Sequence, residues 1–487
     1  MLRLSDETPY SGELYARGYI FRDDRAPNVP KGWCAGTFGG YHLAHDPRLE
    51  IVRMNADGCE LLALGAIVDV RHPDEGAPAF LGRLAKALAR SEDALHEALD
   101  HAGGRFVLAY RRPDGRSAIV SDATGMKPVF YYRGACRIIV SHPHLILENA
   151  DEELRAPIRS KFGYPGLRGP VRKSFMLTPN ARLDLDDLSP ARVWPRAPLA
   201  ERSVPDAAET VRANMDGLVR FARKRGPLLV STTAGLDSRV TLSFLGNVDA
   251  SENMRYFTYF RSETLDTDRV DLAFTHTLRN DLDIDVEVLK LTAGPKMSEE
   301  FRALMQANTF IEHQWRLGWL YARHYGRHGL VHLRSNISEV GREFWGSRPF
   351  GVGSGRGLAR LYLYSKREYP SEYVFRVIDL FDEFDRVTGL TACRDLVDVK
   401  SLFYWEFRMA SWHAQLLCES DPAFDTLSPF NCRATLAAML SVPSEDRKSG
   451  AVLRHVIDAN WPELTRWPIN GKPFWPVSRP AETRTAH

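Results

Sequence analysis

The 487-residue sequence is short of several things, and each shortage removes a class of function. It has no apolar run near the roughly 18 residues that a membrane-spanning helix needs, so no membrane partner is expected. It has almost no net charge. Its 64 basic and 62 acidic side chains leave +2, which gives no electrostatic reason to expect nucleic acid. Cysteine is sparse. The six, at positions 34, 59, 136, 393, 418 and 432, are scattered and form no C-x-x-C pair, so buried free thiols are expected rather than disulfides or a zinc site. Internal repeats and low-complexity tracts are missing. The opening residues carry Asp6 and Glu7 where a secretory signal has its apolar core, and they read as those of a cytoplasmic protein.

What is present is the composition of an ordinary globular protein, 44% hydrophobic and 26% charged, in a chain long enough for two domains. From Cys34 to about Leu185 short apolar runs are broken by turn residues, as at Leu61–Val70, Gly104–Tyr110, Ser117–Ser121, Val129–Tyr132 and Arg137–Val140. Pro113-Asp114-Gly115 marks a hairpin turn. Leu81–Leu99 has the spacing of an amphipathic helix. Residues 187–206 hold Pro190, Pro195, Pro198 and Pro205 among charges and read as an interdomain linker. Beyond it, helix and strand alternate: Ala207–Arg225, Leu228–Ser231, Ser238–Leu245, Arg255–Phe260, Asp268–Leu278, Val286–Leu289. That alternation predicts a parallel sheet covered on both faces. From Ser298 on the pattern is mainly helical.

The chemistry concentrates at Pro227–Arg239, where an apolar strand ends in small and hydroxylated residues and a helix begins directly. That layout puts backbone N–H groups and the positive end of a helix dipole at one spot, which suits a phosphate or pyrophosphate. Gly235 permits close approach, and Ser231, Thr233 and Ser238 offer hydroxyls. Asp237 repels bare phosphate, so its natural work there is to hold a bridging Mg²⁺. The plainer alternative is a strand-to-helix turn in which Asp237 or Ser238 only caps the helix.

Thr233-Ala234-Gly235-Leu236-Asp237-Ser238 resembles the S-G-G-x-D-S pyrophosphate loop of ATP-pyrophosphatase enzymes. Within that group the whole chain resembles the asparagine synthetase family and its relatives, the β-lactam synthetases and lasso-peptide cyclases. The family Ser is Thr233 here, and its first Gly is Ala234. The resemblance implies ATP and Mg²⁺, with ATP or pyrophosphate held by Ser231, Thr233, Ala234, Gly235, Leu236, Asp237, Ser238 and Arg239. It implies adenine contacts at Phe257 and Thr258, with Asp268 and Asp271 opening the next helix. Asn336–Arg342 stands where the family has G-x-G-x-D-E, so Glu339 would join Asp237 on the metal and Arg342 would meet pyrophosphate. Glu339 as a surface acid is the alternative. Ser428-Pro429-Phe430-Asn431 resembles the family's Pro-Phe-Leu-Asp turn. Arg447-Lys448 resembles its lysine before the penultimate helix, and Arg466–Pro476 its closing R-x-K-x-G-F-x-x-P segment. Lys472 and Lys448 would then be catalytic, Lys472 as a cation aimed at charge developing on the acyl-adenylate. An isolated lysine there is otherwise solvated surface. Glu406 is a candidate base for the attacking amine, and a buried ion pair with Arg408 is its other use.

Gly103–Tyr110 and Ser121–Tyr132 resemble the glutaminase domain of asparagine synthetases, and Leu177–Leu183 fits the segment that ends it. The implied architecture is an α+β N-terminal-nucleophile-type αββα sandwich over 1–186, the linker, and an α/β doubly wound parallel-sheet ATP-pyrophosphatase (PP-loop) domain over 207–487. Glutaminase chemistry needs a cysteine whose own α-amine acts as base. Position 2 is Leu2 and the nearest cysteine is Cys34, inside an apparent strand. No ammonia from glutamine is therefore expected, and the first domain reads as a scaffold. His142, His144, His313 and His332 lack ligand-like spacing and read as structural.

The resulting expectation is an ATP-dependent, AMP-forming amide ligase acting on a small-molecule or peptide carboxylate and an amine, with closure to a lactam or macrolactam as one version. A homo-oligomer is compatible with it. Two rivals stand: a PP-loop enzyme that adenylates a carbonyl oxygen, disfavoured because no cysteine lies near the loop, and a degenerate nucleotide-binding or partner-binding protein without turnover.

Overall fold

In a computed structural model the described residues are 10–156, 162–246, 254–262, 264–292, 295–326, 329–345, 351–364 and 369–476. Leu2 lies outside them. The apolar runs of the first half become β1 (Tyr19–Arg22), β2 (Cys34–Phe38), β3 (Tyr41–His45), β4 (Ile51–Ala56), β5 (Cys59–Asp69), β6 (Ala102–Arg111), β7 (Ser117–Ser121), β8 (Phe130–Arg133), β9 (Arg137–Val140), β10 (Ser174–Met176), β11 (Ala181–Asp184) and β12 (Pro190–Arg192). They form two antiparallel six-stranded sheets, in the orders β10-β8-β9-β1-β3-β2 and β12-β11-β7-β6-β5-β4.

Side-chain alternation assigns each strand two faces. On β5, Leu62 and Leu64 point into a layer shared with Tyr19, Phe21, Leu43 and Ile139 of the other sheet. Leu61 and Ala63 point outward onto Phe80, Leu81, Leu84 and Leu88 of the helix Ala77–Arg90. Ile20, Phe130, Tyr132 and Val140 cover the far side of the first sheet. They join Leu145 and Ile146, and also Met409 and Ala410 from the C-terminal half. The layers are helix, sheet, sheet, helix, and the last is partly lent by the second half.

Two expectations change in detail. The helix foreseen over Leu81–Leu99 is split into Ala77–Arg90 and Glu92–Ala98, because Ser91 is extended and its hydroxyl accepts from the Ala94 N–H at 3.0 Å. The segment read as linker also contributes β12, which adds to β11 at the sheet edge, where a proline is tolerated. The next helix, Val204–Arg225, begins with Ser203 as its cap and Pro205 in the first turn.

The second half holds β13 (Leu228–Ser231), β14 (Met254–Phe260), β15 (Val286–Lys290), β16 (Val331–Leu333) and β17 (Asp425–Leu427). All are parallel, in the order β15-β14-β13-β16-β17. The last two, three residues each, lie in the stretch read as mainly helical. Among the described residues no helix is long and apolar enough to cross a membrane, and all six cysteines are free.

A buried polar seam joins the halves. Arg105 forms a two-pronged ion pair with Asp421, Nη2 to Oδ2 2.8 Å, and both side chains are 1% exposed. The Asn431 amide donates to the Gly104 carbonyl at 2.5 Å and to Asp122 at 2.9 Å, and its oxygen accepts from Thr124 at 2.9 Å. The Trp405 indole donates to the Ala123 carbonyl at 2.6 Å. A methyl on Gly217 would lie 2.0 Å from the Val70 carbonyl oxygen, so only glycine lets that helix close on the first half. Removing one partner of a buried pair strands the other charge, so Asp421→Ala should cost about 3–5 kcal/mol in urea unfolding. Arg105→Met combined with Asp421→Leu should recover most of that loss.

Candidate functional site

The strand order reverses between β13 and β16, and the crevice beyond their carboxyl ends is where open α/β sheets bind ligands. A cavity of about 270 Å³ lies there. Ser231, Thr233, Asp237 and Ser238 line it from the β13 loop and the helix Leu236–Ser243. Arg334, Ser335 and Asn336 line it from the end of β16, Tyr259 from β14, and Gln314 and Trp412 from more distant helices. Four residues foreseen as phosphate contacts therefore meet in one cavity. Arg334 was not foreseen. Its Nε donates to Asn336 Oδ1 at 2.5 Å, and among the described residues no carboxylate pairs with it.

The loop is built from its own hydroxyls. Thr233 Oγ1 and Ser238 Oγ are 2.8 Å apart, the Thr233 N–H donates to Ser238 Oγ at 3.2 Å, and the Gly235 N–H to Thr233 Oγ1 at 3.3 Å. Asp271 accepts the Ala234 N–H at 2.8 Å, and burial pushes its carboxyl up. Asp268 turns back instead, onto the Arg261 and Ser262 N–H groups.

The two carboxylates proposed for the metal are close enough to feel each other. Asp237 Oδ2 accepts from Arg342 at 2.8 Å, and its Oδ1 accepts from the Ser338 hydroxyl. Glu339 accepts the Ile337 N–H at 3.0 Å. Burial pushes the Glu339 carboxyl up first, and the charge of Asp237 second. Ile337 carries this turn at φ +95°, a rare conformation for a β-branched residue. Two neighbouring carboxylates, one of them raised by burial and by the charge of the other, with one arginine as counter-ion, are a donor set that fits a divalent cation.

Several foreseen residues lie elsewhere. Arg239 is fully buried and donates to the carbonyls of Ala234, Leu464, Trp467 and Pro468, so it braces the loop from behind rather than meeting phosphate. Leu236 is buried. Phe257 packs with Tyr321, Tyr325 and His332 while its carbonyl accepts the Thr232 N–H at 2.8 Å, and Thr258 is buried beside it, so the strand residue that reaches the cavity is Tyr259. Glu406 is a correction. It is fully buried and forms a two-pronged pair with Arg192, at 2.6 and 2.9 Å, with Asn180 also donating to it. The foreseen partner, Arg408, is not the one it uses. Lys448 points outward onto Glu445 one helical turn back, and it is the neighbouring Arg447 that turns in, to Glu343 at 2.7 Å. Lys472 is exposed but sits on a tight Asn470-Gly471 turn, with φ of 48° and 76°, whose Asn470 N–H donates to the Ala234 carbonyl at 3.1 Å. Its turn, though not its ammonium, is tied to the loop.

No protein-family model matches the chain, and no curated protein matches it. Solved structures similar to it include a glutamine phosphoribosylpyrophosphate amidotransferase from B. subtilis complexed with ADP and GMP. That pair is 10% identical over 57% of this chain and 60% of the other, with TM-score 0.23. A glutamine-dependent NAD⁺ synthetase from Acinetobacter baumannii in complex with ADP is 12% identical over 47% and 52%, with TM-score 0.20. An allosteric regulatory enzyme of purine biosynthesis is 9% identical over 68% and 73%, with TM-score 0.24. The chain thus spans between half and three fifths of the length of the first two. Likenesses this loose establish neither a shared fold nor a shared activity.

One acid beside the cavity has a testable signature. Glu419 is 2% exposed and accepts the N–H groups of His313 and Gln314, each at 2.9 Å. Burial above all raises its carboxyl from 4.5 to about 8. Between those values the folded chain keeps a proton that the unfolded chain has lost, so this group's contribution to stability falls as pH rises. Unfolding free energies measured from pH 5 to 8 should show that fall in the parent protein, and Glu419→Gln should flatten it.

Proposed function

We propose that the chain is an ATP-dependent ligase that adenylates a carboxylate and passes the acyl group to an amine. The observation that carries this reading is the meeting of Asp237, Glu339 and the cations Arg342 and Arg334 around a hydroxyl-rich strand-to-helix loop at the switch point of a parallel sheet. In this reading ATP lies across the ends of β13 and β16. Its phosphates face the start of the helix Leu236–Ser243, with Ser231 and Thr233 donating and Arg334 and Arg342 matching their charge. Asp237 and Glu339 would hold Mg²⁺, which lowers the negative charge that a nucleophile must approach.

A carboxylate oxygen of the substrate attacks the α-phosphorus, and the bond to pyrophosphate breaks. The amine nitrogen then attacks the acyl carbon, AMP leaves, and the nitrogen gives up its extra proton. Most of the rate comes from positioning and from charge stabilisation, for which Lys472 on its docked turn is the available cation. The first domain serves as a scaffold in this account. Cys34 stands exposed at the start of β2, which is an edge strand.

A second reading, a nucleotide-binding protein without turnover, draws on the inward pairing of Glu406 and the outward turn of Lys448. Pyrophosphate release from ATP·Mg²⁺, measured with a panel of carboxylic acids, separates the two. Release with at least one acid is expected, and Asp237→Ala should lower it by about 100-fold or more. ATP binding with no release by any acid favours the second reading. Undiminished release by Asp237→Ala removes the site from this loop.

A further inference from the structure

One buried arginine has no anion. Arg408 is 8% exposed and lies on the π-helical segment Tyr404–His413, a widened helical register that recurs at functional sites. Its Nε and Nη1 are shut off from solvent and donate to no acceptor among the described residues. The guanidinium instead lies over four rings, with centroids at 4.2 Å for Phe162, 4.4 Å for Trp412, 5.2 Å for Phe344 and 5.6 Å for Tyr404. Other buried arginines among the described residues have carboxylate or amide-oxygen partners: Arg105 has Asp421, Arg239 has four carbonyls, Arg433 has Asn180 and Asp100, Arg447 has Glu343, whereas Arg408 is left with the phenol of Tyr404. Ring faces offset a cation's charge but offer an N–H no lone pair of ordinary strength. Two buried N–H groups without acceptors are costly, and a ligand that supplies acceptors removes that cost.

The surroundings say which ligand. The walls of the Arg408 cage are shared with the candidate site: Trp412 also lines the cavity at the ends of β13 and β16. The phenol of Tyr404, raised chiefly by burial, also feels the charge of Glu339. Phe344, 43% exposed, follows two residues after Arg342 and is the member that faces solvent. A guanidinium fork matches a carboxylate in two-pronged fashion. The flat rings around it match a flat apolar skeleton.

We propose that Arg408 anchors a second, non-reacting carboxylate of the acid substrate, and that this carboxylate is borne on a flat, ring-like skeleton lying against the rings of the Arg408 cage, Phe344 and Trp412 among them. The substrate class is then an aromatic dicarboxylic acid, with one carboxylate presented to ATP and the other held by Arg408. This rests on the ligase reading for the role of the site, but not for the existence of the anion subsite.

The test uses the full chain and benzoate as the probe, with binding followed by ligand-detected NMR. Benzoate should bind, while benzamide and inorganic phosphate bind at least about tenfold more weakly. Arg408→Met should weaken benzoate by about tenfold or more, Arg408→Lys by less, and Phe344→Ala, at an exposed position, should also weaken it. Should Arg408→Met fail to fold, Arg408→Lys and Phe344→Ala decide. Unchanged benzoate affinity in both variants overturns the proposal, as does benzoate that binds no better than phosphate or not at all. Binding of a fluorescent ATP analogue with Mg²⁺ is read on the same samples. Arg408-dependent benzoate binding without ATP binding sinks the ligase reading alone, and ATP binding without Arg408-dependent benzoate binding sinks the subsite alone.

Discussion

The geometry of the loop depends on a guanidinium that never reaches the cavity. Arg239 follows Ser238 on the same helix, and the helical step of about 100° per residue turns it from the cavity into the core. There it meets no carboxylate. It is held by carbonyl dipoles, at 2.7 Å from Trp467 and 2.9 Å from Pro468, and by the ring of Phe274 at 4.3 Å. Burial pulls it down to about 10, with Arg454 adding to the effect. The carbonyls it collects come from both the Ala234 loop and the segment around 464–468, so one buried cation locks that segment against the phosphate-loop candidate. Asn470 then reaches Ala234 through its backbone, and Lys472 is carried along.

The N-terminal half has a comparable task at the other edge of the sheet. β17 is three residues long, too short to define its own register, and a strand of that length at a sheet edge is held mainly by what grips its ends. Asp421, four residues before it, is clamped by Arg105. Asn431, four residues after it, is clamped by Gly104, Asp122 and Thr124. Asp122 in turn accepts the N–H groups of Phe106, Thr124, Met126 and Lys127. A domain that only leaned on its neighbour would not invest its own best-connected carboxylate in the joint. This one fixes β17, and through the Leu427 carbonyl, which accepts the Arg334 N–H at 2.9 Å, it fixes the cation beside the cavity.

What could be read from the residues followed the length of the signal. β13 was legible to the residue because three apolar positions end in a hydroxylated run that no strand continues. The Pro113-Asp114-Gly115 hairpin was legible because Gly115 takes φ +89°. β16 and β17 were not, since three residues carry no period. At the site, residues on the loop itself, Thr233, Asp237 and Ser238, line one cavity because their spacing along one turn fixes their relative position. Side chains brought from afar have no such local cue. Arg334 and Trp412 enter the cavity only through the folding together of distant elements. Glu406 turned to Arg192, 214 positions away, and no local pattern announces such a partner. Between Arg447 and Lys448 only the helical phase decides which faces inward.

The ion pair of Asp237 with Arg342 looks at first like an obstacle to metal binding, since the carboxylate is already satisfied. Its exposure argues otherwise. Both side chains are about one-quarter exposed, 25% and 28%, and a pair of that kind holds on the order of 1 kcal/mol or less. The neighbouring Glu339 is more deeply enclosed, and its carboxyl is raised first by burial and second by the charge of Asp237, so the two acids repel each other where both are ionised. In the proposed reading a divalent ion entering there would gain two oxygen donors and relieve that repulsion, while the phosphates accompanying it would offer Arg342 a new partner. That exchange would trade a weak pair for two strong ones. Arg342 is therefore better understood as a placeholder that keeps Asp237 oriented than as a lock that keeps the site closed, and the strained turn at Ile337 is what holds the placeholder within reach.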